Sequence, residues 1–184
     1  AGIFYQSPWW EAYPKVEDYF GRVGAIMTRG AEVRDVLVIH PIESTWLLYR
    51  KEFEKDPRVR QFDQSIVELR DTLLGAHLDF DYGEEDILAR HAKVQNGELV
   101  VAKARYQAVV VPPMLTIRKS TLELLSKFRA AGGTVVFAGD VATCVDAVQS
   151  NAAESLASEC VRTPAKGAEL AAALESTRRI SIAD

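Results

Sequence analysis

The chain of 184 residues has only two cysteines, Cys144 and Cys160. They are too few and too far apart for a disulfide framework, a metal motif or a redox CxxC pair, and read as two small buried hydrophobes. Long apolar runs are missing too. None approaches the roughly 20 residues a membrane span needs, so no membrane partner is expected. The opening Ala1-Gly2-Ile3-Phe4-Tyr5 has neither the basic start nor the apolar core of a signal peptide. Its first residue is not Met, which fits a processed product or a piece cut from a longer chain. Charge of one sign is never concentrated. With a net charge of −4 and no Lys/Arg block, a nucleic-acid surface is not expected. A glycine-rich phosphate loop is also lacking: His40-Pro41-Ile42-Glu43 stands where a dinucleotide-binding fold needs glycines. A flavin stays open, but nothing asks for one, and no cofactor is assigned.

What the chain does have is a series of strand and helix signals in alternation. Val36-Leu37-Val38-Ile39 is continuously apolar and mostly β-branched, as in a strand buried on both faces of a parallel sheet. Before it, Val16, Tyr19, Phe20, Val23, Ile26 and Met27 share one face of a helix over 15–29, with Gly30 as its stop. After it, the charged stretch from Trp46 predicts a short helix or lid-like excursion ended by Pro57. A helix over 62–76 and a strand over 77–81 follow. Asp81-Tyr82-Gly83-Glu84 has capping-box spacing for a short helix. Asn96-Gly97 between extended runs marks an inserted hairpin outside the main sheet.

Tyr106–Val111 is the next strand, closed by Pro112-Pro113. Ser120-Thr121-Leu122-Glu123 is a second capping box, for a helix that stops at Gly132-Gly133. Thr134–Ala138 is a buried strand ending at Gly139-Asp140. Beyond it the spacing predicts a helix over 141–150, a strand over 160–162, a helix from Thr163-Pro164 towards Ser176, and a last strand over 178–182. Right-handed crossovers between about five such strands give an α/β fold, a three-layer flavodoxin-like sandwich with a mostly parallel sheet. Its segments are an aromatic junction over 1–14, the domain proper over 15–176, and a strand over 177–184 leading onward.

In such sheets ligands bind beyond the carboxyl ends of the strands. That edge would carry His40-Pro41-Ile42-Glu43, Asp81, Pro112-Pro113 and Gly139-Asp140. His40 with Glu43 could bind a polyol or assist a proton transfer. The alternative is a loop fixed by Pro41, with Glu43 or Ser44 capping the next helix. Trp46 could stack on a sugar ring or plug the core. A nucleophile elbow needs Ser or Cys at a sharp turn, and Phe137-Ala138-Gly139-Asp140-Val141 has Asp there instead. His40, His77 and His91 lack metal-ligand spacing. The acidic cluster from Asp79 to Asp86 suits a solvated helix start.

Three stretches, in this order, resemble a known family: Tyr5-Gln6-Ser7-Pro8-Trp9-Trp10, Val36 through Trp46, and Leu78-Asp79-Phe80-Asp81-Tyr82-Gly83. Together they are similar to a segment of large bacterial glycoside hydrolases of the α-L-rhamnosidase-like kind. In these a catalytic barrel is followed by a flavodoxin-like domain, itself similar to the trimerisation domain of bacterial β-galactosidases and to class I glutamine amidotransferases. The resemblance implies a non-catalytic accessory domain. Its partners would be the catalytic barrel and sugar-binding domains of one parent chain, with homo-oligomer contacts as an option. No catalytic residue and no metal would lie here. His40, Glu43, Trp46, Asp81 and Asp140 would at most line a carbohydrate site completed elsewhere, since a glycosidase needs two carboxylates across a cleft. Two other readings stand beside it: a free-standing small-molecule hydrolase or transferase using His40 with Glu43 or Asp140, and a flavodoxin-like ligand-binding module.

Overall fold

A computed structural model describes residues 4–30 and 32–180, and the chain divides into two units, Ala1–Val33 and Arg34–Asp184. In the first, a 3-10 turn at Trp10–Ala12 leads into α1 (Tyr13–Met27). Pro14 stands in the opening turn of α1, where its missing N–H leaves no bond unmade. The expected apolar stripe is there, but nothing within the unit covers it. Its members range from 38% exposed at Val23 to 74% at Met27.

The second unit runs through β1 (Val36–Ile39), α2 (Ile42–Leu47), a 3-10 turn (Phe53–Lys55), α3 (Pro57–Gly75), β2 (Phe80–Gly83), α4 (Glu85–His91), β3 (Ala92–Gln95), β4 (Glu98–Val101), β5 (Ala104–Tyr106) and β6 (Ala108–Val111). It continues with β7 (Thr116–Ile117), α5 (Lys119–Ala130), β8 (Thr134–Ala138), β9 (Cys144–Val145), β10 (Val148–Gln149), α6 (Ala152–Ala157), β11 (Val161–Thr163) and α7 (Ala168–Ala173). Five strands form an all-parallel sheet in the order β2-β1-β6-β8-β11. Renumbered within that sheet the order is 2-1-3-4-5, the flavodoxin-like winding. The period-2 alternation of strands divides the core in two. Leu37, Ile39, Val109, Val111, Val135 and Phe137 face Leu88 of α4, Leu122, Leu125 and Phe128 of α5, and Ala153 and Ala157 of α6. Val36, Val38, Ala108, Val110, Val136 and Ala138 face Leu69 and Leu73 of α3 and Leu170 of α7. The result is three layers, helix on sheet on helix.

The inserted hairpin is there and gains a strand: β3, β4 and β5 make a separate antiparallel sheet. Asn96 and Gly97 have φ of 54° and 79°, the two positive values that let a two-residue turn follow strand twist.

Several sequence expectations are corrected. Pro57 opens α3 rather than ending the segment before it, because Asp56 caps the helix by accepting from the Arg58 N–H. The strand expected over 77–81 lies at 80–83. His77 turns out of α3 with φ 56° and Leu78 N–H returns to Leu73 C=O, which uses up those residues as a helix exit. Glu84, not Asp81, caps α4, accepting from Ile87 N–H. The capping box at Ser120 is unused, since α5 has already begun at Lys119.

The helix expected over 141–150 is the hairpin of β9 and β10. Asp146 and Ala147 are both left-handed, with φ of 49° and 64°, and β9 pairs with β7. The helix from Thr163-Pro164 shrinks to α7, entered through Gly167 at φ 96°. Of the last expected strand, residues 178–180 are not in a strand, and 181–182 lie outside the described residues.

Candidate functional site at the carboxyl edge

In this winding the ligand crevice opens between the first and third strands of the sheet, here β1 and β6. The chain fills it with itself. Pro41, Pro112, Pro113 and Met114 are all buried. Ser44, fully buried in α2, accepts from Leu115 N–H at 2.9 Å and Thr116 N–H at 3.1 Å, and donates to Thr116 C=O at 3.3 Å. One hydroxyl thus ties α2 to β7 across the mouth of the crevice. Ser44 is therefore a brace between elements and not a cap of its own helix, whose N-cap position belongs to Pro41 without a side-chain hydrogen bond.

The helical stagger of α2 sends His40 and Glu43 in different directions. Ile42 and Thr45, one turn apart, join His40 along a cavity. Glu43 turns to Arg118, whose Nε donates to it at 2.7 Å, and Arg118 also reaches Asp86 at 3.3 Å. These partners hold the guanidinium charged well above its ordinary range, the Glu43 hydrogen bond first and its charge with it. Beneath them Glu85, 1% exposed, accepts from the Arg118 N–H at 2.8 Å, while Asp146 accepts from Lys119 N–H at 3.1 Å. Two carboxylates from elsewhere in the chain so cap the start of α5, where its dipole favours negative charge. Burial pushes the Glu85 carboxyl up, opposed by that backbone hydrogen bond.

The other expected site residues scatter. Trp46 is 59% exposed and plugs nothing. Asp81 sits inside β2, opposite Leu37, and so is not on the carboxyl rim, a consequence of the strand lying further along the chain than expected. It binds Arg34 and accepts from Tyr106 O–H at 2.9 Å. Burial, then Asp81, raises the Tyr106 phenol well above its usual range. Asp140 is exposed on the rim after β8, two strands from β1 and hence about 10 Å along the sheet from His40. His40 packs edge-to-face on Tyr82, centroids 5.7 Å apart. Among the described residues, no three His, Cys, Asp or Glu side chains group as a metal site.

The cavity beside His40 holds about 380 Å³ and lies between α2, the 3-10 turn and the start of α3. Its walls are Ile42, Phe53, Val59, Phe62 and Ile66. Thr45, Arg60 and Asp63 add polar groups to it. Of these wall residues, Phe62 and Ile66 read from sequence as ordinary core positions of α3. Only the third dimension shows that they border a space. No family model matches this chain, and no curated protein matches it either. Arg118 and Glu85 carried no local sequence signal, because each is defined by partners about 30 or more residues away.

One of the walls rests on a charge. Asp56, 5% exposed, binds Arg58 and Arg50. The Arg58 side chain and then its N–H hold the carboxyl down to about 2. A depressed carboxyl stabilises the fold above its unfolded value, and that contribution disappears as pH falls through the folded one. Asp56→Asn keeps a capping side chain without the charge. The wild-type advantage over Asp56→Asn in thermal midpoint is expected to be full above about pH 5, to shrink as pH falls through the folded value of about 2, and to be gone by about pH 1. Melting curves across that window check it, and a constant difference would contradict it.

Proposed function

We propose that this chain is a non-catalytic accessory domain of a multi-domain glycoside hydrolase, packing against the catalytic barrel or another subunit of its parent. The observation that carries this reading is the run Trp46, Leu47 and Tyr49 at the carboxyl edge, exposed by 59%, 48% and 69%. Apolar side chains of this size standing together in water mark a surface made for another protein. The apolar stripe of α1, uncovered within its own unit, is a second such surface. Four acid groups support the same reading. Glu43, Glu85 and Asp86 are all engaged with Arg118, and Asp81 with Arg34 and Tyr106, so each is committed to holding the fold. The family resemblance of the three stretches supplies the kind of parent.

An antibody raised to the 184-residue chain, applied to the native source, tests this. The expected band is many times larger than 20.4 kDa. In that parent, Trp46→Glu with Tyr49→Glu should loosen the domain, seen as a new protease-sensitive site, while the isolated chain hydrolyses no glycoside. A native band at 20.4 kDa would overturn the proposal.

A further inference from the structure

The cavity beside His40 has features that interdomain packing does not use. At about 380 Å³ it falls in the usual range of small-molecule sites, roughly 300–1,000 Å³. It also lies beyond the carboxyl end of β1, where His40 and Pro41 leave the strand. Most of the residues around it are aliphatic or aromatic, Phe53 and Phe62 among them. The side chains of His40, Thr45 and Asp63 make no hydrogen bond or ion pair among the described residues, and all three residues border this one space. His40 is held in place by its contact with the Tyr82 ring rather than by a polar partner.

The walls select the ligand. Arg60 and Asp63 both border the space, so their opposite charges offset and favour neither an anion nor a cation, and no glycine lines it for the close backbone approach a nucleotide needs. A polyol would exchange most of its water for hydrocarbon, which is costly when only a few polar groups can answer it. What fits is a flat apolar ring able to lie against the phenylalanines, with one hydroxyl for His40, Thr45 or Asp63. We infer that the cavity between α2 and α3 binds a small neutral hydroxylated aromatic molecule, of the phenol class. The inference stands independently of the parent enzyme, since it concerns this cavity alone.

The test uses p-cresol with the 184-residue chain, followed by titration calorimetry and by amide chemical-shift mapping. A dissociation constant below about 1 mM is expected, with shifts concentrated at His40, Thr45, Phe62 and Ile66. Benzoate, benzylamine and glucose should each bind at least about tenfold more weakly. Ile66→Trp, which fills the space, and His40→Leu, which removes a polar partner, should weaken p-cresol by a similar factor. Shift mapping on the unmutated chain decides the matter even if a variant misfolds. Absent binding, shifts centred elsewhere, or a preference for glucose or a charged probe would overturn the assignment.

Discussion

Ser44→Ala is expected to cost the fold about 2–4 kcal/mol, as the buried Thr116 N–H and the partly buried Leu115 N–H lose their acceptor together. The Ser44 hydroxyl is the acceptor for both Leu115 and Thr116, and it is completely removed from solvent. The hydroxyl is fully buried, so each amide that loses it bears a desolvation cost of its own. For a chain of this size such a loss lowers the thermal midpoint by about 5–12 °C. Urea denaturation measures the energy. Hydrogen exchange at the Leu115 and Thr116 amides locates it, because the brace joins α2 to β7 and should open there first. A loss below about 0.5 kcal/mol would show that the hydroxyl is not the acceptor these amides depend on.

Gly133→Ala should be at least as severe, at about 3 kcal/mol or more. A Cβ built at Gly133 would stand 2.1 Å from one carbon of the Phe128 ring and 2.3 Å from another. Phe128 is fully buried between α5 and the sheet, so the ring has nowhere to go. The neighbouring Gly132 offers a contrast. Nothing lies within 4 Å of its Cβ position, and its φ of 95° is the only obstacle. Gly132→Ala should therefore cost only about 1 kcal/mol. If the clash is the cause, Phe128→Leu placed in the Gly133→Ala background should restore part of the loss, a non-additivity that a double-mutant cycle reads directly. Equal costs at the two glycines would refute the steric account.

In the sequence, Gly132 and Gly133 look alike as a helix stop. Only packing separates a glycine needed for its backbone angle from one needed for the room it leaves. The same division runs through the candidate site. Val36–Ile39, Val109–Val111 and Val135–Ala138 announced a buried parallel sheet because short, β-branched, continuously apolar runs suit strands covered on both faces. The turn at Asn96-Gly97 was legible because left-handed angles at both positions suit few residues. Short segments were less legible. The hairpin of β9 and β10 depends on pairing with β7, a contact some 28 residues distant, and local spacing there suggested a helix instead.

The sequence by itself determined the centre of the sheet, with the strands over Val36–Ile39, Ala108–Val111 and Thr134–Ala138 and the helices α3 and α5 that cover them, and that the carboxyl edge carries His40, Glu43 and Asp140. Local chemistry suffices for this, since hydrophobic period and turn residues act within a few positions of themselves. Tertiary structure alone decided what those residues do. It sent Glu43 to Arg118 and drew Asp81 into the sheet with Tyr106. It also left His40 facing a cavity walled by Phe53, Phe62 and Ile66. Hydrogen bonds, ion pairs and cavities join groups far apart in the chain, and their partners are chosen only when the sheet closes and sets the distances between them.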